Sequence, residues 1–179
     1  TDAQQFRRER PPTSCACGFP SRLRRYGGPS RQTLENNMDL HPDFPIVSGH
    51  YQLTSEWSAV LPIELNRRVE DGSLVLWRKG FTSWFEIWNN DKNESKEARL
   101  ARLKSEISPN ASDIKEVSDE KTLKLSYRLS ESAEDNRLPA LYCFALGKNG
   151  HVQAAFYFDK PEGIALAQKI CGSLSEESI

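Results

Sequence analysis

Beyond about residue 50 the chain alternates apolar and polar positions in short runs broken by turn residues. Tyr51, Leu53, Trp57, Ala59 and Leu61 share one parity against Gln52, Thr54, Glu56 and Ser58. That alternation predicts a half-buried strand ending at Pro62, with Ser55 as a polar residue on the apolar parity and 41–49 as an irregular lead-in. Glu70-Asp71-Gly72 is a turn signal, and Leu74–Trp77 follows as a second strand closed by Gly80. In Phe81–Trp88 both parities are apolar, which predicts a central strand with each face covered by a different element.

A polar loop at 89–93 leads to a helix over about 95–107. Asn93 or Ser95 is placed to cap it, and Leu100, Leu103 and Ile107 form its core stripe. Arg102 and Glu106 are spaced to pair along it, and Lys96, Arg99, Arg102 and Lys104 read as its solvated face. Ile114–Val117 is a short strand. Leu123, Leu125, Tyr127 and Leu129 then alternate with Lys124, Ser126, Arg128 and Ser130. A charged loop at 130–137 leads to a strand at 140–146. Asn149-Gly150 reads as a hairpin turn using positive φ, and 151–158 is the returning strand. Asp159–Glu162 reads as a capping box for a last helix whose stripe is Ile164, Ala167, Ile170, Cys171 and Leu174. Gly163 and Gly172 lower that helix's own propensity. The order predicts an α+β fold: a mostly antiparallel sheet of six to seven strands with two helices packed on it.

Residues 1–37 lack this patterning. They hold seven arginines and no lysine against Asp2, Glu9 and Glu35, a net charge of +4. Four prolines and three glycines interrupt them, and the segment reads as a disordered tail, with upstream sequence that is not native as one origin. Residues 38–179, expected as a single α+β domain, carry 17 basic and 22 acidic side chains, net -5. The whole-chain charge of -1 is a cancellation, and the acidic domain argues against nucleic acid as a partner. No run approaches the roughly 18 apolar residues of a membrane span, so no membrane insertion is expected.

Catalytic and metal-binding motifs are missing from the pattern. Cys15-Ala16-Cys17 has no second ligand pair at zinc-finger spacing, and Cys143 and Cys171 read as small buried apolar residues with reduced thiols. His41, His50 and His151 stand in no metal-ligand spacing, and neither a nucleophile elbow nor a phosphate loop is present. No catalytic residue, metal or cofactor is therefore assigned.

The aromatic residues carry more information. Trp57, Trp77, Trp84 and Trp88 fall in the first three predicted strands, and Trp84-x-Glu86-x-Trp88 puts two indoles and a carboxylate on one sheet face. Tyr142 and Tyr157 extend that face across the sheet. Amphipathic rings anchor interfaces, so Trp84, Glu86, Trp88, Tyr142 and Tyr157 form the candidate binding set. The same residues also suit a core under a helix. An unpaired buried carboxylate is costly, so Glu86 should lie near water or a cation.

The layout also carries a resemblance. A first strand ends at Leu61-Pro62, a hairpin leads to an apolar strand, one helix covers the sheet, more hairpins follow, and a last helix closes at Ser173-Leu174. Over about residues 50–175 this resembles the PsbP-like superfamily, an α/β/α sandwich that includes DcrB-like and type VI adaptor proteins. The resemblance implies binding or scaffolding without a shared reaction, and no functional residue is carried over from it. The combined expectation is a cytoplasmic bacterial protein-binding module of adaptor, chaperone or immunity type, with a homodimer as one form. The competing reading is a small-ligand-binding protein or enzyme with a pocket near His50, Glu86 and His151.

Overall fold

The computed structural model describes residues 39–130 and 138–177. The expected disordered tail, 1–37, and the charged loop at 131–137 lie outside the described residues. Eleven elements come in order: β1 (Ile46–Gln52), β2 (Trp57–Glu70), β3 (Ser73–Arg78), β4 (Phe81–Asn89), α1 (Lys96–Glu106), β5 (Ser112–Ser118), β6 (Leu123–Leu129), β7 (Ala140–Leu146), β8 (Gly150–Phe158), α2 (Glu162–Ser173) and β9 (Ser175–Glu176). Among the described residues the strands make one antiparallel sheet in the order β1-β2-β3-β4-β8-β7-β6-β5, with β9 paired to the start of β2.

The fold is α+β with two helices among the described residues, as expected, but the sheet has nine strands rather than six to seven. The predicted 51–61 strand is two strands. Residues 53–56 turn the chain, which is why Ser55 broke the parity, and the Leu53 and Thr54 amides both donate to the Trp57 carbonyl. β1 begins at Ile46, inside the predicted lead-in; the irregular residues before it are pinned by the buried Asn66 side chain, which bonds His41 and Phe44. Pro62 does not end β2. It sits where the β1–β2 register slips between Val47–Leu65 and Gly49–Leu61, a place where a missing N–H is tolerated. The two-residue β9 is too short to leave a periodic signal.

The helices cover opposite faces. Lys124, opposite Ala145 in the sheet, reaches the Gly172 carbonyl at the end of α2 (2.7 Å). Glu116, opposite Leu125 and therefore of the other parity, pairs with Lys104 of α1 (2.5 Å). The α2 face holds the main core: Trp57, Leu61, Leu65, Leu76, Phe85, Cys143, Val152, Phe156, Ala167, Ile170 and Leu174. Each large apolar side chain buried there contributes about 1.5–3 kcal/mol. The α1 face is less sealed. Leu100, Leu103 and Ile107 are only half-buried, and the most buried residue of α1 is Arg99, 3% exposed, which the sequence had put on the solvated face.

Several local expectations change. Ser95 is the α1 cap, its side chain accepting from the Ala98 amide. Arg102 pairs with Glu94 (2.6 Å) rather than Glu106. α2 has no capping box: its N-cap is Pro161, with no side-chain hydrogen bond. At the β7–β8 turn neither Asn149 nor Gly150 has positive φ; Gly150 is needed because a Cβ there would meet the Trp88 carbonyl oxygen at 2.3 Å. Most consequentially, Cys143 and Cys171 are not reduced thiols. They are joined in a disulfide between β7 and α2, with their Cα atoms 6.0 Å apart.

Candidate binding face

β4 is the central element of the α1-side face. It directs Thr82, Trp84, Glu86 and Trp88 to that face, while Phe81, Ser83 and Phe85 enter the α2-side core. The register then lays out rows across the sheet. Trp84 faces Val75 on β3 and Ala155 on β8, and Ala155 faces Tyr142 on β7. Glu86 faces Gln153, which faces Phe144. Trp88 faces His151, and Thr82 lies between Trp77 and Tyr157.

All five sequence-predicted residues therefore share one sheet face. Their exposures differ: Trp84, Glu86, Trp88 and Tyr157 are half-buried, whereas Tyr142 is buried at 3% and packs against Tyr127 with ring centroids 5.4 Å apart. Glu86 keeps access to water and accepts a bond from the Ser73 hydroxyl (3.3 Å). On the same face the Arg68 guanidinium lies over the Trp77 ring, 4.8 Å from its centroid. The surface thus alternates amphipathic rings with polar groups of both signs.

Near α1 the face becomes more enclosed. The His151 imidazole stacks on Trp88, and burial, with the Arg99 and Arg102 cations close by, holds its pKa down at about 4. The Trp88 Nε1 is buried without an acceptor. Arg99 donates from Nη1 to the Gly150 carbonyl (2.9 Å) and from Nη2 to the Gly147 carbonyl. Burial lowers its pKa, while Glu176 and Glu94 oppose that shift, and the guanidinium stays charged. Glu176 takes the amides of the same turn, Lys148 and Asn149, at 2.7 Å each. Arg99 and Glu176 were both missed in the sequence. For Arg99 a signal existed: it lies four residues before Leu103, on the edge of the apolar stripe.

The alternative trio does not converge. Glu86 and His151 are diagonal neighbours on β4 and β8. His50 is on the edge strand β1, opposite Val60, well before the part of β2 that pairs with β3. Its Nε2 lies 3.8 Å from a Glu177 carboxylate oxygen. A separate groove of about 510 Å³ runs between the β3–β4 turn and the start of α2. Ile63, Phe81 and Leu166 line it, with charges of both signs around them, and none of the predicted site residues reaches it. Among the described residues, no group of three or more His, Cys, Asp or Glu side chains is placed to hold a metal ion.

No family model, curated protein or solved structure matches the chain.

Proposed function

We propose that this chain is a non-catalytic protein-binding module and that Trp84, Glu86, Trp88 and Tyr157 form its docking face. The observation that carries this reading is their half-buried state on one continuous face, opposite a face closed by α2. Indoles and a phenol with one side against the sheet lose little conformational freedom on binding, and they combine apolar area with a polar edge. Glu86, between two tryptophans and in contact with water, suits a Lys or Arg of the partner, in keeping with an acidic domain. Tyr142, buried on the same face, borders this surface in the row of Trp84 and Ala155.

The layering, with one helix on each face, is of the kind a PsbP-like sandwich would have, and an adaptor role is part of the same proposal. Among the described residues no helix is long and apolar enough to cross a membrane. The disulfide favours an oxidising compartment over the cytoplasm expected from the sequence.

The test is site-specific photo-crosslinking in the native host. A crosslinker at Thr82 or Gln153 should give a discrete protein adduct that Trp84→Ala abolishes. The same crosslinker at Lys169, on the outer side of α2, should give none. Equal adducts from both sides, or none from Thr82 and Gln153, would overturn the proposal.

A further inference from the structure

We propose that the Cys143–Cys171 disulfide is a redox latch that holds the last turn of α2, and the chain beyond it, on the sheet. Cys143 sits mid-strand in β7, opposite Ala154 and Ser126, and is fully buried. Cys171 lies in the last turn of α2 and is 7% exposed. The helix has little hold of its own. Its N-cap makes no side-chain hydrogen bond, two glycines lie within it, and its last turn contains no basic residue. The charge that meets its C-terminal carbonyls comes from β6, through Lys124 to Gly172.

The chain beyond Cys171 is tied to distant parts of the fold. Ser173 bonds the Val60 backbone, β9 pairs with Trp57 and Ser58, and Glu176 holds the two amides of the β7–β8 turn. Arg99 reaches the same turn from α1. One covalent bond thus fixes the point from which the C-terminal segment spans the sheet to the turn.

The opening step is thiol–disulfide exchange with a dithiol reductant. Its thiolate attacks the Cys171 sulfur, the more exposed of the pair, and releases the Cys143 thiolate. The second thiol of the reductant then displaces Cys171 from the mixed disulfide. The two protons of the dithiol end on Cys143 and Cys171, and the reductant ends as its own disulfide, two electrons having passed to the protein. Because both sulfurs are buried, attack requires the last turn of α2 to open first, so the latch responds to local fraying as well as to redox poise.

The experiment uses the full chain with Cys15→Ser and Cys17→Ser, so that the latch pair is the sole redox couple. Non-reducing peptide mapping should recover Cys143 and Cys171 in one linked species. Dithiothreitol should then raise amide exchange at least tenfold in 170–177 and at 147–150, leave β3 and β4 unchanged, and lower the melting temperature by roughly 10 °C. Cys171→Ser should match the reduced protein with or without reductant. Free thiols in the mapped protein would overturn the proposal. So would exchange that is identical before and after reduction, or that rises uniformly over the sheet.

Discussion

The Trp88 indole and the His151 imidazole lie nearly parallel across the β4–β8 pair, with ring centroids 6.4 Å apart and planes at 11°. The imidazole titrates near 4 rather than 6.5 because its site disfavours a positive charge. Between those values the unfolded chain binds a proton that the folded chain refuses. Stability from this group is therefore complete above about pH 6.5 and falls as the pH drops toward 4, by roughly 2–3 kcal/mol. Urea midpoints at intervals from pH 7.5 to 4 should trace that decline. His151→Gln should flatten it in this window.

Below pH 4 a different loss should remain in the His151→Gln variant. Partial burial raises the Asp119 pKa, but the Thr122 amide, the Lys124 ammonium, the Thr122 hydroxyl and the Lys121 amide together outweigh it and hold the carboxyl well below the usual range. A carboxylate of this kind stabilises the fold above its ordinary pKa, and that contribution fades as acid protonates it. Asp119→Asn added to His151→Gln should reduce the residual slope below pH 4. An unchanged slope would assign it to other carboxylates.

Arg99 and Arg102 are one turn apart in α1 and should behave very differently. Removing Arg99 takes the side-chain donor from the Gly147 carbonyl and leaves the Gly150 carbonyl with the Gly147 amide alone. Arg99→Ala should cost about 2–4 kcal/mol by urea unfolding, and Arg99→Lys should recover only part because a single ammonium is a poor match for a two-carbonyl fork. Arg102→Ala breaks only a solvent-exposed pair with Glu94 and should cost about 0–1 kcal/mol. Ser95→Ala, which removes the α1 cap, should fall between them at about 1 kcal/mol.

The contrast between these arginines also marks where the sequence stops being informative. Period-2 alternation located β6 to the residue because one parity is apolar and the other polar along its whole length. The shared face of Trp84, Glu86 and Trp88 was legible from the two-residue repeat of a strand alone, since both parities of β4 are apolar, and the register aligns Tyr142 and Tyr157 with it. Pro62 misled because a proline in a register slip looks locally like a strand end. Arg99 misled because charge on a helix is normally solvated, and only the carbonyls of a turn 48 to 51 residues away give it a reason to be buried. The disulfide is likewise a statement about tertiary proximity: strand and helix stripes had marked both cysteines as buried, without saying that they meet.

Three glycines near the ends of elements should separate space from backbone freedom. None of Gly150, Gly163 and Gly172 adopts a positive φ, so alanine is conformationally acceptable at each. At Gly150 a Cβ would lie 2.3 Å from the Trp88 carbonyl oxygen, and at Gly163 it would lie 2.4 Å from the Phe158 Cβ. Backbone or a packed ring must move in both cases. Gly150→Ala and Gly163→Ala should each destabilise by about 1–3 kcal/mol, Gly150→Ala also parting the end of the β4–β8 pair. At Gly172 a Cβ would meet nothing within 4 Å. Gly172→Ala removes freedom from the unfolded chain and improves helix propensity, so it should stabilise by about 0.5–1 kcal/mol. Equilibrium unfolding of the three variants tests the order. A stabilising Gly150→Ala would show that the β4–β8 end relaxes around a methyl group, and the close approach of Trp88 would then not be the reason for glycine at that turn.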